Sequence, residues 1–221
     1  MDGNGRWAEQ KGLAKIEGHR VGGVAVEEAI KGCLELGVKV LSLYTFSTEN
    51  WQRPKKEVMT LMKLLKQYLK SRLKDLNKNK IRLVVSGERA KLPQALIQQI
   101  DKTTKATEKN SRMILNLALN YGGREEIVNA ARAIAQDLNK GRLQINQIDQ
   151  EIFSSYLYTR DLPDPDLLIR TSGEYRISNF FLWQISYSEF YFTDKLWPDF
   201  KKEDLLAAVL DYQRRERRFG R

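Results

Sequence analysis

An α/β fold, a single domain with a mostly parallel central sheet flanked by helices, is predicted by two features of the chain. Four short apolar runs, residues 38–44, 81–85, 113–119 and 166–169, read as strands, and the segments between them carry helical periodicity. The first helix, residues 24–36, is closed by Gly37, a good stop residue, and leads into strand 38–44. Pro54 can begin the next helix, 55–76, where Val58, Leu61, Met62, Leu65, Tyr68, Leu69, Leu73 and Leu76 mark one broad apolar face. Strand 81–85 is followed by helix 93–110, strand 113–119 by helices 124–139 and 147–156, and strand 166–169 by a final helix, 201–217. There are no internal repeats or low-complexity stretches.

Composition sets outer limits. A chain of 221 residues and 25.7 kDa with 42% hydrophobic residues suits one domain, 1–221, with a sizeable core. Thirty-eight Lys and Arg against 28 Asp and Glu give a net charge of +10, which fits a polyanionic partner: nucleic acid, anionic lipid or phosphorylated small molecules. Cys33 is the single cysteine, which excludes an internal disulfide and any multi-cysteine metal site. No apolar stretch is long enough to span a bilayer and no apolar leader run is seen, so a cytoplasmic location is expected.

Two polar clusters carry the chemistry. In Met1-Asp2-Gly3-Asn4-Gly5-Arg6-Trp7-Ala8, read as a loop, Gly3 and Gly5 permit positive φ and close approach of backbone N–H groups to an anion. Asp2 can hold Mg²⁺, which takes its other ligands from waters and substrate phosphates, and Arg6 supplies a planar fork matched to phosphate oxygens. The bland alternative is a solvated turn. The second cluster, Arg170-Thr171-Ser172-Gly173-Glu174-Tyr175-Arg176-Ile177-Ser178-Asn179, follows a strand, where open α/β sheets keep their ligands. Arg170, Arg176 and Ser178 could surround a second anion, or be ordinary loop residues.

Together these clusters resemble the cis-prenyltransferases, of the undecaprenyl (di-trans,poly-cis) diphosphate synthase type. The resemblance extends to Gly18-His19, Tyr44-Thr45-Phe46-Ser47-Thr48-Glu49-Asn50-Trp51-Gln52-Arg53-Pro54, Asn120-Tyr121-Gly122-Gly123-Arg124, Leu182-Trp183-Gln184, Glu189, Leu196-Trp197-Pro198-Asp199-Phe200 and Arg217-Arg218-Phe219-Gly220. It implies repeated addition of isopentenyl diphosphate to an allylic diphosphate, each new double bond being cis. It also implies that Asp2 assists ionisation through Mg²⁺, with Glu189 contributing to the metal site. Gly3, Asn4, Gly5, Arg6, Trp7, Lys15 and His19 are expected at the primer diphosphate.

By the same resemblance, Arg170, Arg176, Ile177 and Ser178 bind isopentenyl diphosphate, Trp51 and Arg53 flank the pocket, and Thr48 and Glu49 are expected among the substrate-binding residues. Asn50 and Ser47 lie near the site where the condensing substrate loses its proton, although the amide of Asn50 is a poor base and could instead orient a diphosphate or water. Lys15 stands where the family usually has Arg, and Tyr175 where some members carry a His near the metal. Helix 55–76 and strand 113–119 are the expected tunnel walls, ordinary core packing being the alternative, with Met113 at the closed end. A homodimer and a peripheral membrane contact for product release are further implications. Family members carry an apolar strand directly before the Asp2 loop, and domain 1–221 is expected to lack it.

Two rival functions use the same residues. Nucleic acid could stack on Trp7 or Trp51, yet RNP1, zinc-finger and basic-heptad patterns are absent, so no nucleic-acid partner is expected. A non-catalytic prenyltransferase-like subunit is the sharper rival, opposed by the joint presence of Asp2, Asn50, Arg170, Arg176 and Glu189.

Overall fold

The computed structural model describes residues 1–216. Helices α1 (Asn4–Gln10) and α2 (Lys15–Glu35) precede strand β1 (Val40–Ser47), a 3-10 turn (Thr48–Gln52) and α3 (Lys55–Lys78). Then come β2 (Ile81–Ser86), α4 (Gln94–Thr107), β3 (Met113–Tyr121), α5 (Gly123–Asn139) and α6 (Gln150–Ser155). The chain continues through β4 (Leu167–Arg170), β5 (Glu189–Phe192) and a 3-10 turn (Trp197–Asp199) to α7 (Lys202–Gln213).

All strand pairs are parallel, as the alternation of elements predicts, but they fall into two sheets. One has the order β1-β3-β2 and the other pairs β4 with β5. Central β3 is buried along nearly its whole length, with Leu115, Leu117 and Leu119 each at most 4% exposed, because helices cover both faces of such a sheet. Leu43 and Phe46 of β1 join Val58, Met62 and Leu69 of α3 and Leu96 and Ile100 of α4 in the main core. A smaller cluster of Ala118, Tyr121, Leu168, Phe181 and Ile185 lies between the two sheets. Among the described residues, β1 and β4 each pair along one edge only.

Three expectations need correction. The first loop is helical from Asn4, with Gly3 at the N-cap at φ 95°, so Gly5 lies inside α1 and has no positive φ. Helix α2 starts at Lys15, nine residues ahead of the expected start. Its early glycines lower helix propensity but allow close packing: a Cβ on Gly18 would stand 1.9 Å from the Asn4 carbonyl oxygen. Strand β5 was not foreseen at all; its four residues, three of them aromatic, carry no polar alternation to mark them. The expected stop at Gly37 is present, at φ 73°. The expected last helix corresponds to α7, while Arg217-Arg218-Phe219-Gly220 lies outside the described residues.

Candidate active site

Asp2 and Arg170, separated by 168 positions in sequence, meet at 3.1 Å. Arg170 ends β4, and its guanidinium also donates to Ser178 Oγ at 2.9 Å and to the Arg176 carbonyl. One side chain thus ties the two polar clusters together. Burial acts to raise the Asp2 carboxyl, but the Arg170 hydrogen bond, the Gly3 amide at 2.8 Å and the Arg170 charge outweigh it and hold the group below the usual carboxylate range.

Backbone contacts fix the same carboxylate. The Thr171 hydroxyl accepts from the Asp2 amide and donates to the Asp2 carbonyl, and the Trp197 amide donates to that carbonyl at 2.9 Å. Gly3 must be glycine here, since a Cβ would stand 2.2 Å from Ser172 Oγ and 2.8 Å from a Leu196 methyl. Ser172 itself takes φ 78°, and its buried hydroxyl has no partner among the described residues.

Glu174 holds two cations. Arg6 pairs with one oxygen of this carboxylate at 3.1 Å and Arg176 with the other, so both forks are aimed at one point. Arg6 also donates to the Ser172 carbonyl at 3.2 Å.

Asn179, at φ 63°, clasps two other segments. It donates to Glu49 at 2.9 Å and to Glu125 at 3.2 Å, and accepts from the Arg124 amide at 2.9 Å. Burial acts to raise Glu49, yet the hydrogen bonds from Asn179 and the neighbouring groups prevail and lower it. Asn50 Oδ1 accepts from the Ser47 amide at 3.2 Å in a reciprocal cap, while its Nδ2 makes no hydrogen bond within the described residues.

These groups rim a cavity of about 1820 Å³. Asp2, Gly3, Asn4, Gly5, Arg6, Lys15 and His19 line it, as do Ser47, Glu49, Asn50 and Arg53, and Arg170, Arg176, Ile177 and Ser178. Beyond the polar mouth the walls are apolar, with Val24 and Val26 of α2, Leu61, Met62 and Leu65 of α3, and Leu41 and Leu43 of β1. Burial, followed by the Arg53 charge and opposed by Glu57, lowers His19 below its ordinary value, so it is neutral at pH 7.

Six expected positions lie elsewhere. The Trp7 indole donates to Asp199 at 2.9 Å, and Trp51 packs edge-on against Phe46 and donates to Asn120 at 2.6 Å, so both indoles serve the scaffold. Thr48 borders a separate small pocket with Asn120 and Arg124. Glu189 starts β5 opposite Leu167, three strand positions from the Arg170 pairing, and is engaged by Arg215 at 2.8 Å; the structure does not bring it to Asp2. Met113 is 1% exposed in the core and is not on the cavity wall. Tyr175 leans on Phe192, ring centroids 5.1 Å apart. The residues that sequence reasoning left without a role are Thr171, Glu174 and Asn179; all three stand inside the second polar cluster, which was the available signal.

No group of three His, Cys, Asp or Glu that could hold a metal by itself occurs among the described residues. The single ionised carboxylate of Asp2, part-exposed at the mouth, nevertheless fits Mg²⁺, which usually takes one or two carboxylates together with substrate phosphates.

Known proteins show what the chain is similar to. The family described as "Putative undecaprenyl diphosphate synthase" matches residues 1–220. The chain is 52% identical over 220 residues to the isoprenyl transferase of Bacillus subtilis (strain 168), covering 100% of this chain and 85% of that one. It is 51% identical to the isoprenyl transferase of Fusobacterium nucleatum subsp. nucleatum, covering 93% of that protein. Among solved structures, lavandulyl diphosphate synthase from Lavandula x intermedia, in complex with dimethylallyl diphosphate, superposes with a TM-score of 0.97 at 40% identity, covering 100% of this chain and 95% of the other. A probable undecaprenyl diphosphate synthase from Campylobacter jejuni gives 0.81 at 32% identity, with 91% and 93% covered. The chain belongs to the undecaprenyl diphosphate synthase family and is a cis-prenyltransferase.

Proposed function

We propose that the enzyme condenses isopentenyl diphosphate repeatedly onto an allylic diphosphate such as farnesyl diphosphate, yielding a long-chain polyprenyl diphosphate of the undecaprenyl type. The observation that carries this reading is the Arg170 bridge, which joins two anion-binding clusters at the polar mouth of one large, apolar-walled cavity. Two diphosphates can be held side by side at that mouth, and an apolar chain can be housed behind it.

In each cycle a carbon–carbon bond forms between the allylic carbon and the terminal alkene carbon of isopentenyl diphosphate. The allylic carbon–oxygen bond breaks, the diphosphate departs with its electron pair, and the isopentenyl unit loses a proton. Gly3 to Arg6, with Lys15 and His19, hold the primer diphosphate, and Arg170, Arg176 and Ser178 hold the second substrate. Mg²⁺, held by Asp2 and the phosphates, would neutralise charge on the departing group. Arg6, released from Glu174, adds a fixed donor to the same oxygens. Asn50 orients the reacting groups through Nδ2, because an amide is a poor base and its oxygen is already engaged; the departing diphosphate is the stronger proton acceptor.

The same reading includes a homodimer, a cytoplasmic location and peripheral membrane contact when the product leaves. No helix among the described residues is long and apolar enough to cross a membrane, and the product itself is strongly apolar. Incubation with farnesyl diphosphate, labelled isopentenyl diphosphate and Mg²⁺, followed by sizing of the products, tests the proposal. A ladder of extended products is expected; absence of any condensation would reject it.

A further inference from the structure

The positive charge of the chain is concentrated in one helix. Against a net charge of +10, α3 holds eight Lys and Arg and only two acids, whereas no other described helix has a cationic surplus of more than one. Both acids of α3 are engaged, Glu57 by Arg53 at 3.3 Å and Asp75 by Arg72 at 3.4 Å. Its seven lysines, from Lys55 to Lys78, are all exposed, and among the described residues none of their ammonium groups has a hydrogen bond or an ion pair. The lysines that do pair with acids, Lys31, Lys195 and Lys202, lie on other segments.

These lysines form a face. At 3.6 residues per turn, Lys56, Lys63, Lys70 and Lys74 fall within about 40° of one another around the axis and span about 27 Å along it. The rest of the helix is committed: Val58, Met62, Leu69 and Leu76 are buried, and Leu61, Leu65 and Tyr68 line the cavity. Met59 lies on the lysine side, 38% exposed. Lys66, Lys70, Lys74 and Lys78 follow one another four residues apart, a spacing at which like charges destabilise a helix. A face that is only solvated gains from alternating signs at this spacing, so an unbroken cationic row fits an anionic partner better.

The row is straight, faces outward and is made of lysines, with no Arg and no aromatic ring among them. Shaped recognition of nucleic acid draws on forked Arg contacts and stacking rings, whereas hydrated point charges spread along a line suit a plane of phosphate charge. We propose that the lysine face of α3 docks the enzyme on an anionic lipid bilayer, with Met59 entering the headgroup layer. This rests on the condensation reading given above and names the face that makes its membrane contact. The cavity wall and the docking face are then two sides of one helix, so the apolar product forms about 10 to 12 Å, one helix diameter, from the lipid.

The test uses vesicles of phosphatidylcholine alone and of an equal mixture with phosphatidylglycerol, sedimented with the full chain at low salt and again at about 0.5 M salt. Lys63→Gln/Lys70→Gln/Lys74→Gln removes the centre of the row, and Lys63→Arg/Lys70→Arg/Lys74→Arg keeps its charge. Lys11→Gln/Lys91→Gln/Lys140→Gln removes the same charge from exposed positions elsewhere. The parent is expected to bind the mixed vesicles at least tenfold better than the neutral ones and to lose that preference in high salt. The α3 glutamine variant should bind at least fivefold more weakly, with vesicle-free condensation of isopentenyl diphosphate within twofold of the parent. The arginine variant and the Lys11 variant should bind as the parent does. Equal binding to both vesicle types, equal weakening in the two glutamine variants, or tighter binding of duplex DNA than of mixed vesicles would overturn the docking face. A parent that binds mixed vesicles through α3 yet condenses nothing would overturn the condensation reading and leave the face standing.

Discussion

The hydroxyl of Thr171 grips the main chain of Asp2 from both sides, accepting from its amide and donating to its carbonyl, each at 3.0 Å. Thr171 is 2% exposed and directly follows Arg170, which holds the Asp2 carboxylate. Backbone and side chain of Asp2 are therefore set by adjacent residues of one strand end, the kind of support a preorganised site needs. Thr171→Val keeps the shape and removes both bonds. Two neutral hydrogen bonds contribute about 1 kcal/mol each, so turnover should fall by roughly tenfold or more. KM for isopentenyl diphosphate should change little, and Thr171→Ser should recover most of the loss. Steady-state kinetics of the three proteins decide it; an unaffected turnover in Thr171→Val would remove the positioning role.

Asp2 and Arg176 should separate turnover from binding. Asp2→Ala deletes the carboxylate expected to serve the departing diphosphate, so turnover should drop by about 10² or more, the scale seen when one charge-stabilising group is removed. Binding of isopentenyl diphosphate should persist. Arg176→Ala loses a charge-assisted contact of about 1.5 to 3 kcal/mol, which raises KM for that substrate about tenfold or more. Similar kinetic profiles for the two variants would show that the clusters do not divide the substrates in this way.

His19 gives the fold a pH dependence with a definite sign. Burial, then Arg53, lower it below the ordinary 6.5, so below that pH the unfolded chain takes up the proton first. The unfolded state then binds more protons than the folded one, and stability rises with pH in the window just below 6.5 and levels off above it. His19→Gln should flatten that slope. Thermal melts of the two proteins between about pH 5 and 7.5 measure it, and parallel curves would show that His19 does not cause the slope.

Much of this architecture can be read directly from residues. The apolar face of α3 and the unbroken apolar run of β3 announce themselves through periodicity, because both elements bury a continuous surface. The start of α2 does not, since Gly18, Gly22 and Gly23 argue against a helix that forms through close contact with Asn4 and Trp197. In the site, the residue types of both clusters were legible, and the structure places most of them on one cavity. What spacing could not supply was direction. Trp7 and Trp51 sit within motif segments, yet their indoles turn to Asp199 and Asn120, and Glu174 emerges as the acid between Arg6 and Arg176 only when two distant segments are folded together.

The split sheet makes the last prediction. Residues 38–47, including all of β1, and residues 162–171, including all of β4, line the same cavity, and among the described residues neither strand has a partner on its second edge. Unpaired parallel edges leave backbone donors and acceptors to solvent and reduce the rigidity of whatever lies at their ends. Here that is Arg170, and through it Asp2. We propose that a strand laid parallel between β1 and β4 would join the two sheets, as the family's apolar segment ahead of the Asp2 loop is expected to do. Joining about 15 to 25 residues with such a segment ahead of Met1 should raise the melting temperature and also turnover, since Asp2 would then be held by a completed sheet. Melts and prenyl-transfer assays of the chain with and without the added segment provide the comparison. Equal melting temperatures and equal turnover would show that the two edges need no strand between them.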